Sequence, residues 1–141
     1  MADNKTTTDP LAEIAERALK KTSIVQLTGW NATDQRYLFV APYDCKIDQV
    51  SLVSDTAVAA NDTNYYSFQV QNLTAAKALL SSAKTTQATG GTAITGDAPY
   101  DLSPNQNQVI SDGDVLELQI TETGTATDLT SAEIVAVVEY T

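Results

Sequence analysis

Histidine is absent from this chain and cysteine occurs once, at Cys45. Without histidine, the Ser-His-Asp and Cys-His arrangements that activate a hydroxyl or a thiol cannot be assembled. A single thiol closes no internal disulfide, so the fold is not expected to draw on oxidising conditions. Basic residues are also scarce. Eight Lys and Arg stand against 18 Asp and Glu, for a formal net charge of −10 and a pI near 4.1. Nucleic-acid affinity rests mostly on Lys and Arg neutralising phosphates, so no nucleic-acid partner is expected. No apolar run approaches the roughly 20 residues of a membrane-crossing helix. The opening MADNKTTTD is too polar for a secretory signal. The expectation is a chain made and folded in a cytosol, with no membrane partner. A Gly-rich phosphate loop is missing too.

What charge there is falls unevenly. Residues 1–22 hold four bases (Lys5, Arg17, Lys20, Lys21) and four acids (Asp3, Asp9, Glu13, Glu16), a net of zero, so the remainder carries the whole −10. No Lys or Arg follows Lys84. An acidic surface keeps a β protein soluble and discourages edge-to-edge pairing. A neutral N-terminal piece is free to dock where the acidic part is repelled.

That piece reads as an arm. Asp9 offers an N-cap carboxylate and Pro10 the fixed φ of a first helical position. Leu11, Ile14, Ala15, Ala18 and Leu19 then recur at the spacing of an amphipathic helix, with Glu13 toward its positive end and Lys20 and Lys21 toward its negative end. At about three turns the helix is marginal alone in water, so its stripe needs a surface. Its own body, a neighbouring subunit and a partner are all open at this point. The spacing predicts an arm over residues 1–22 and a body over 23–141.

The body has the two-residue period of β-strands. Tyr66, Phe68 and Val70 alternate with Tyr65, Ser67, Gln69 and Gln71. After an Asp112-Gly113 turn, Leu116, Leu118 and Ile120 alternate with Glu117, Gln119 and Thr121. Cys45–Val53 alternates imperfectly, which predicts a bulge or a change of face. The stretch from Thr74 to Ala83 fits either a short helix or an irregular strand, and Thr85 to Gly96 reads as a long loop. The last strand differs from all of these: Ile134, Ala136, Val138 and Tyr140 fill one face while Val135 and Val137 occupy the other. Apolar residues on both faces of one strand call for a second packing partner. Val135 and Val137 are therefore candidate subunit contacts. Together the pattern predicts an all-β fold: an antiparallel β-sandwich of seven to eight strands with an N-terminal helical arm, a jelly roll in preference to an up-and-down barrel.

Candidate chemistry is thin. Cys45 follows Asp44, which raises a thiol pKa, so it reads as structural. Asp112, Asp114 and Glu117 are the best carboxylates, and their places on a tight turn and an outward strand face read as solvated acids, in contrast to a glycosidase pair. Asp112-Gly113-Asp114 and Asn61-Asp62-Thr63-Asn64 supply oxygen ligands of the kind calcium takes, but neither completes an EF-hand, and the same residues serve turns. Trp30 and Tyr65 are the aromatics on which a carbohydrate platform would rest. No enzyme, metal or cofactor is expected.

Two stretches carry a family resemblance. VAPYDCKIDQVSLVSDTAVAANDTNYYSFQVQNL (residues 40–73) is similar to the opening strands of small jelly-roll proteins of tailed-bacteriophage virions. VISDGDVLELQITETGTATDLTSAEIVAVVEY (residues 109–140) is similar to their closing hairpin. The group resembles head decoration (cement) proteins, and the resemblance implies a homotrimer on the outer surface of the capsid. There it would bridge major capsid proteins and brace the mature shell. It also implies that residues 1–21 form a capsid- or neighbour-grasping arm and that the acidic body faces solvent. The alternative from the residues is a β-sandwich module of a head or tail fibre tip that binds a host surface or carbohydrate.

Overall fold

The computed structural model describes residues 19–141, and among these there is no helix. Ten strands form: β1 (Lys21–Leu27), β2 (Asp34–Val40), β3 (Cys45–Ser54), β4 (Tyr65–Asn72), β5 (Lys77–Ala78), β6 (Lys84–Thr85), β7 (Pro99–Asp101), β8 (Val109–Ile110), β9 (Val115–Thr123) and β10 (Ile134–Tyr140). The helical stripe expected at Leu11, Ile14, Ala15 and Ala18 lies outside the described residues. Leu19 and Lys20, expected at its end, are not helical, and Lys21 is the first residue of β1.

The strands make two antiparallel sheets. In the first, the order is β1-β10-β3-β7, with β8 also on β3; in the second it is β2-β9-β4-β5, with β6 also on β4. Both sheets use their short strands in the same way. β7 and β8 lie along one edge of β3, at Ser51–Val53 and at Cys45–Lys46. β5 and β6 lie along one edge of β4, at Gln71–Asn72 and at Ser67–Phe68. Each pair is one edge strand broken in two, so ten segments fill eight strand positions. Breaking an edge this way blunts it against pairing with another chain. Thr74–Ala83 thus resolves as turn and edge strand, and it contains no helix.

The inner faces are the ones the alternation marks. Tyr66, Phe68 and Val70 of β4 and Leu116, Leu118 and Ile120 of β9 meet Ile47, Val50 and Leu52 of β3 and Ile134, Ala136 and Val138 of β10, all buried. The imperfect alternation of β3 is a bulge. Glu139 pairs with Gln49 but Tyr140 pairs with Ile47, which leaves Asp48 as the extra residue. Inward positions shift from Cys45 and Ile47 to Val50, Leu52 and Ser54 across it. A second slip in β2, between Tyr37 and Phe39, buries Leu38 and Phe39 in succession.

Aromatic rings fill the middle. Trp30 stands edge-on to Tyr66 at 6.4 Å and to Phe68 at 6.0 Å, and Phe68 meets Tyr100 at 5.7 Å. Such edge-to-face pairs add about 0.5–1.5 kcal/mol each beyond burial. The Tyr66 hydroxyl donates to the Thr127 carbonyl at 2.6 Å, and burial, reinforced by Glu122 and Asp128, pushes its pKa up to about 12. Trp30 is fixed from outside by Arg36. The guanidinium lies 5.9 Å from the ring centre, donates to the Thr28 and Gly29 carbonyls at 3.0 Å and pairs with Asp34 at 2.8 Å. Gly29 itself lies so close to the Leu129 carbonyl that a Cβ there would collide with it. At the Asp112-Gly113 turn, Gly113 takes φ 84° and donates to the Ala41 carbonyl at 2.9 Å, while Asp114 N reaches back to the Ser111 carbonyl at 2.9 Å. The positive φ explains the glycine.

Leu118 sits at the centre of this core with no exposed surface. Leu118→Ala is expected to cost about 2–5 kcal/mol in chemical denaturation. A loss below about 0.5 kcal/mol, the scale of a surface substitution, would contradict its placement.

Candidate interaction surface

The outer faces of the two sheets differ in kind. On the second sheet, residues opposite one another form the rows Gln35–Gln119–Gln69 and Tyr37–Glu117–Gln71, followed by Thr121–Ser67. That face is polar, with four glutamines around Glu117. On the first sheet the register sets Gln26, Val135, Val53 and Pro99 in one row and Ile24, Val137, Ser51 and Asp101 in the next. Val135, Val137 and Val53 are half-buried and Ile24 is 67% exposed. No described strand packs over this face. The two valines singled out from the sequence therefore sit together at mid-sheet, and β1 and β3 widen them into a patch with Ile24 and Val53.

A second apolar feature adjoins it. β1 and β2 are the free edges of their sheets, and between them runs a groove of about 530 Å³ whose lining includes Ile24, Val25, Tyr37, Phe39, Val40 and Tyr140. Tyr37 is 69% and Val40 60% exposed. Phe39 and Tyr43 pack at tilted angles against Tyr140, with ring centres 4.8 Å and 6.2 Å away. Ile24 belongs to both the patch and the groove. Sequence reasoning missed this groove because it joins two edges that are not consecutive in pairing. The signal was Ile24-Val25, which repeats on β1 the two-faced apolar pattern of β10.

The candidate chemical groups are placed as follows. Cys45 is buried; burial pushes its thiol pKa up, and Asp44, Asp114 and Asp48 push it further. Asp114 and Glu117 are not solvated as the sequence suggested, since both are buried. Asp114 Oδ2 accepts from Asn72 Nδ2 and from Ser111 N, both at 2.9 Å, and these hydrogen bonds hold its carboxyl below the usual range. Glu117 lies in the polar face of the second sheet, where its Oε1 accepts from Gln119 Nε2 at 3.2 Å. Asp112 is exposed.

The Asn61–Asn64 loop spends its oxygens locally. Asn61 Oδ1 accepts from Thr63 N and Asn64 N at 2.8 and 2.7 Å, Asp62 from Thr89 N at 2.7 Å, and Asn64 Oδ1 from Thr125 N at 2.8 Å. Among the described residues, no group of three His, Cys, Asp or Glu is placed to hold a metal ion. Trp30 is 2% exposed and offers no platform. Of the apolar stripe residues only Leu19 is described. It is 63% exposed, beside Lys20, whose ammonium lies 3.5 Å from Glu139.

No protein-family model and no curated protein matches the chain. The fold is similar to that of a chain in the Cyanophage Pam1 capsid asymmetric unit, with a TM-score of 0.51 and 20% identity, over 86% of this chain and 82% of that one. At that identity the likeness is one of fold.

Asp114 ties the Asp112-Gly113 turn to β4. Because its folded pKa is depressed, its contribution is present above the ordinary value of 3.8 and is lost as pH falls through the folded value. Asp114→Asn is expected to lower the melting temperature at pH 7, and the gap to the parent should narrow toward about pH 2, as the parent's carboxyl takes up its proton. An equal gap at both pH values would remove the charge from the account.

Proposed function

We propose that this chain is a structural protein of a tailed-bacteriophage virion: a head decoration (cement) protein of jelly-roll type that binds the outer capsid surface as a homotrimer and bridges major capsid proteins. The order β1-β10-β3-β7 over β2-β9-β4-β5 supports the jelly-roll assignment, since it interleaves early and late strands as two Greek keys do. The fold likeness to a phage capsid chain supports the setting. The observation that carries the reading is the contrast between the two outer faces: a Gln-rich face on the second sheet, and on the first an apolar patch of Ile24, Val53, Val135 and Val137 suited to another subunit.

An apolar sheet face shared between subunits resembles a core cut in half, the form that obligate interfaces take. In a trimer each arm is presented three times, so weak single contacts add up to firm attachment. Such a role is non-enzymatic, and the side chains with chemical potential are used structurally: Cys45 in the core and Asp114 in a turn. The fibre-tip alternative is weakened because Trp30, the side chain best suited to stack on a sugar, is in the core.

Two measurements test the proposal. Val137→Asp puts an unpaired charge into the apolar face, at a cost of several kcal/mol if that face is buried between subunits. Light scattering should then give the mass of a single folded chain, and a stable trimer from this variant would refute the interface. Removal of residues 1–19 should weaken binding to undecorated heads by roughly 10²-fold or more, through lost avidity, while the β-sheet circular dichroism is kept. Unchanged decoration by the shortened chain would show that the arm is not the tether.

A further inference from the structure

We propose that Glu117, with Tyr37, Gln71 and Gln119 around it, is a receptor for the guanidinium of an arginine presented by a partner protein. The site lies on the outer face of the second sheet, away from the apolar patch. It goes beyond the decoration role and does not depend on it.

Glu117 projects outward from the central strand β9, yet it is 6% exposed. Taking a carboxylate out of water is costly unless an opposite charge or several hydrogen bonds replace the lost hydration. Glu117 has neither among the described residues. Its Oε1 accepts one hydrogen bond, from Gln119 Nε2 at 3.2 Å, and no described residue donates to Oε2. No described Lys or Arg pairs with it. Arg36, on the neighbouring β2, is engaged by Asp34 and by the Thr28 and Gly29 carbonyls. Oε2 is still open to approach from outside, since the fully enclosed side-chain atoms that lack a partner are Trp30 Nε1 and Tyr100 Oη.

The surroundings decide the class of partner. Glu117 stands directly opposite Tyr37 on β2 and Gln71 on β4, about 5 Å away between Cβ atoms, with Gln119 two positions along the same face. Tyr37 is 69% exposed, so its ring is accessible beside the carboxylate. The amide of Gln69 is spent on the Leu80 and Val70 backbone. The amide of Gln71 and Oε1 of Gln119 have no such bonds to described residues.

A guanidinium uses all of these groups. Its flat face stacks on an aromatic ring, its paired N–H groups match a carboxylate, and its remaining donors take amide oxygens. An ammonium has neither the flat face nor the fork, and a sugar hydroxyl brings a donor without the charge that a desolvated carboxylate calls for. The outward residues alongside, Gln35, Ser67, Gln69 and Thr121, are uncharged, so attraction on this face is focused on one carboxylate. The net charge of −10 adds a field that draws a basic partner in.

Two measurements on the full-length chain test the assignment. In the first, the peptide acetyl-Gly-Arg-Gly-amide is the probe, followed through the side-chain amide NMR signals of Gln71 and Gln119. Saturable shifts are expected. Glu117→Gln, which removes the charge and keeps the shape, should weaken binding on the order of ten- to a hundredfold, and Tyr37→Ala about two- to fivefold. An equally strong response to acetyl-Gly-Lys-Gly-amide would overturn the guanidinium, a response to methyl α-glucoside alone would make the face a sugar site, and no saturable response would overturn the receptor outright. A change in the same signals on Arg17→Gln, with no probe added, would make the occupant the chain's own N-terminal segment and overturn the partner. In the second, thermal unfolding without peptide, Glu117→Gln should melt no lower than the parent, because an uncompensated charge is removed while the new amide can still accept from Gln119. A clear fall in melting temperature would make Glu117 a support of the fold itself and overturn its assignment as a receptor.

Discussion

A β-strand has two faces, and β10 carries apolar side chains on both. Its position makes that decisive, because β10 is the strand held between β1 and β3 in the first sheet. Ile134, Ala136 and Val138 complete the core on one side. On the other, the same two-residue period turns Val135 and Val137 outward, and antiparallel register brings Ile24 and Val53 beside them. A strand at the sheet's rim would have left two isolated valines. At the centre they become a surface that water covers poorly.

The second sheet sets the opposite condition. Its central strand β9 faces outward with Glu117, Gln119 and Thr121, flanked by Gln35, Gln69 and Gln71. The sandwich is therefore polarised across its thickness, with an apolar patch on one outer face and a row of glutamines on the other. The groove between β1 and β2 lies at the side where the two sheets' free edges meet, so the apolar surface turns the corner and does not stop at the edge of a sheet.

The features legible in the sequence were those fixed by near neighbours. Alternation in β4 and β9, the Asp112-Gly113 turn and the phase slip that marks the Asp48 bulge are all local, and each is where its pattern predicts. Trp30 was not legible, because its burial depends on Gly29 pressing against the Leu129 backbone and on Arg36 capping the ring, contacts made across the fold. Asp114 looked solvated because turn acids usually are; Asn72 on β4 buries it. The short strands β5 to β8 escaped for the same reason. Their segments lack a strong period of their own and are strands only because β3 and β4 offer an edge. Val135 and Val137 were legible as surplus, whereas the patch they join required the register.

Strand order also bears on time. β1 pairs with β10, Lys21 opposite Tyr140, so the first strand among the described residues waits for the last. Non-local pairing of this kind places closure of the first sheet late, and sandwiches rich in it fold in milliseconds to seconds rather than microseconds. The apolar face is shared among β1, β10 and β3, and no partly synthesised chain can display it. The apolar face is therefore formed in the same step that completes the first sheet, and not before it.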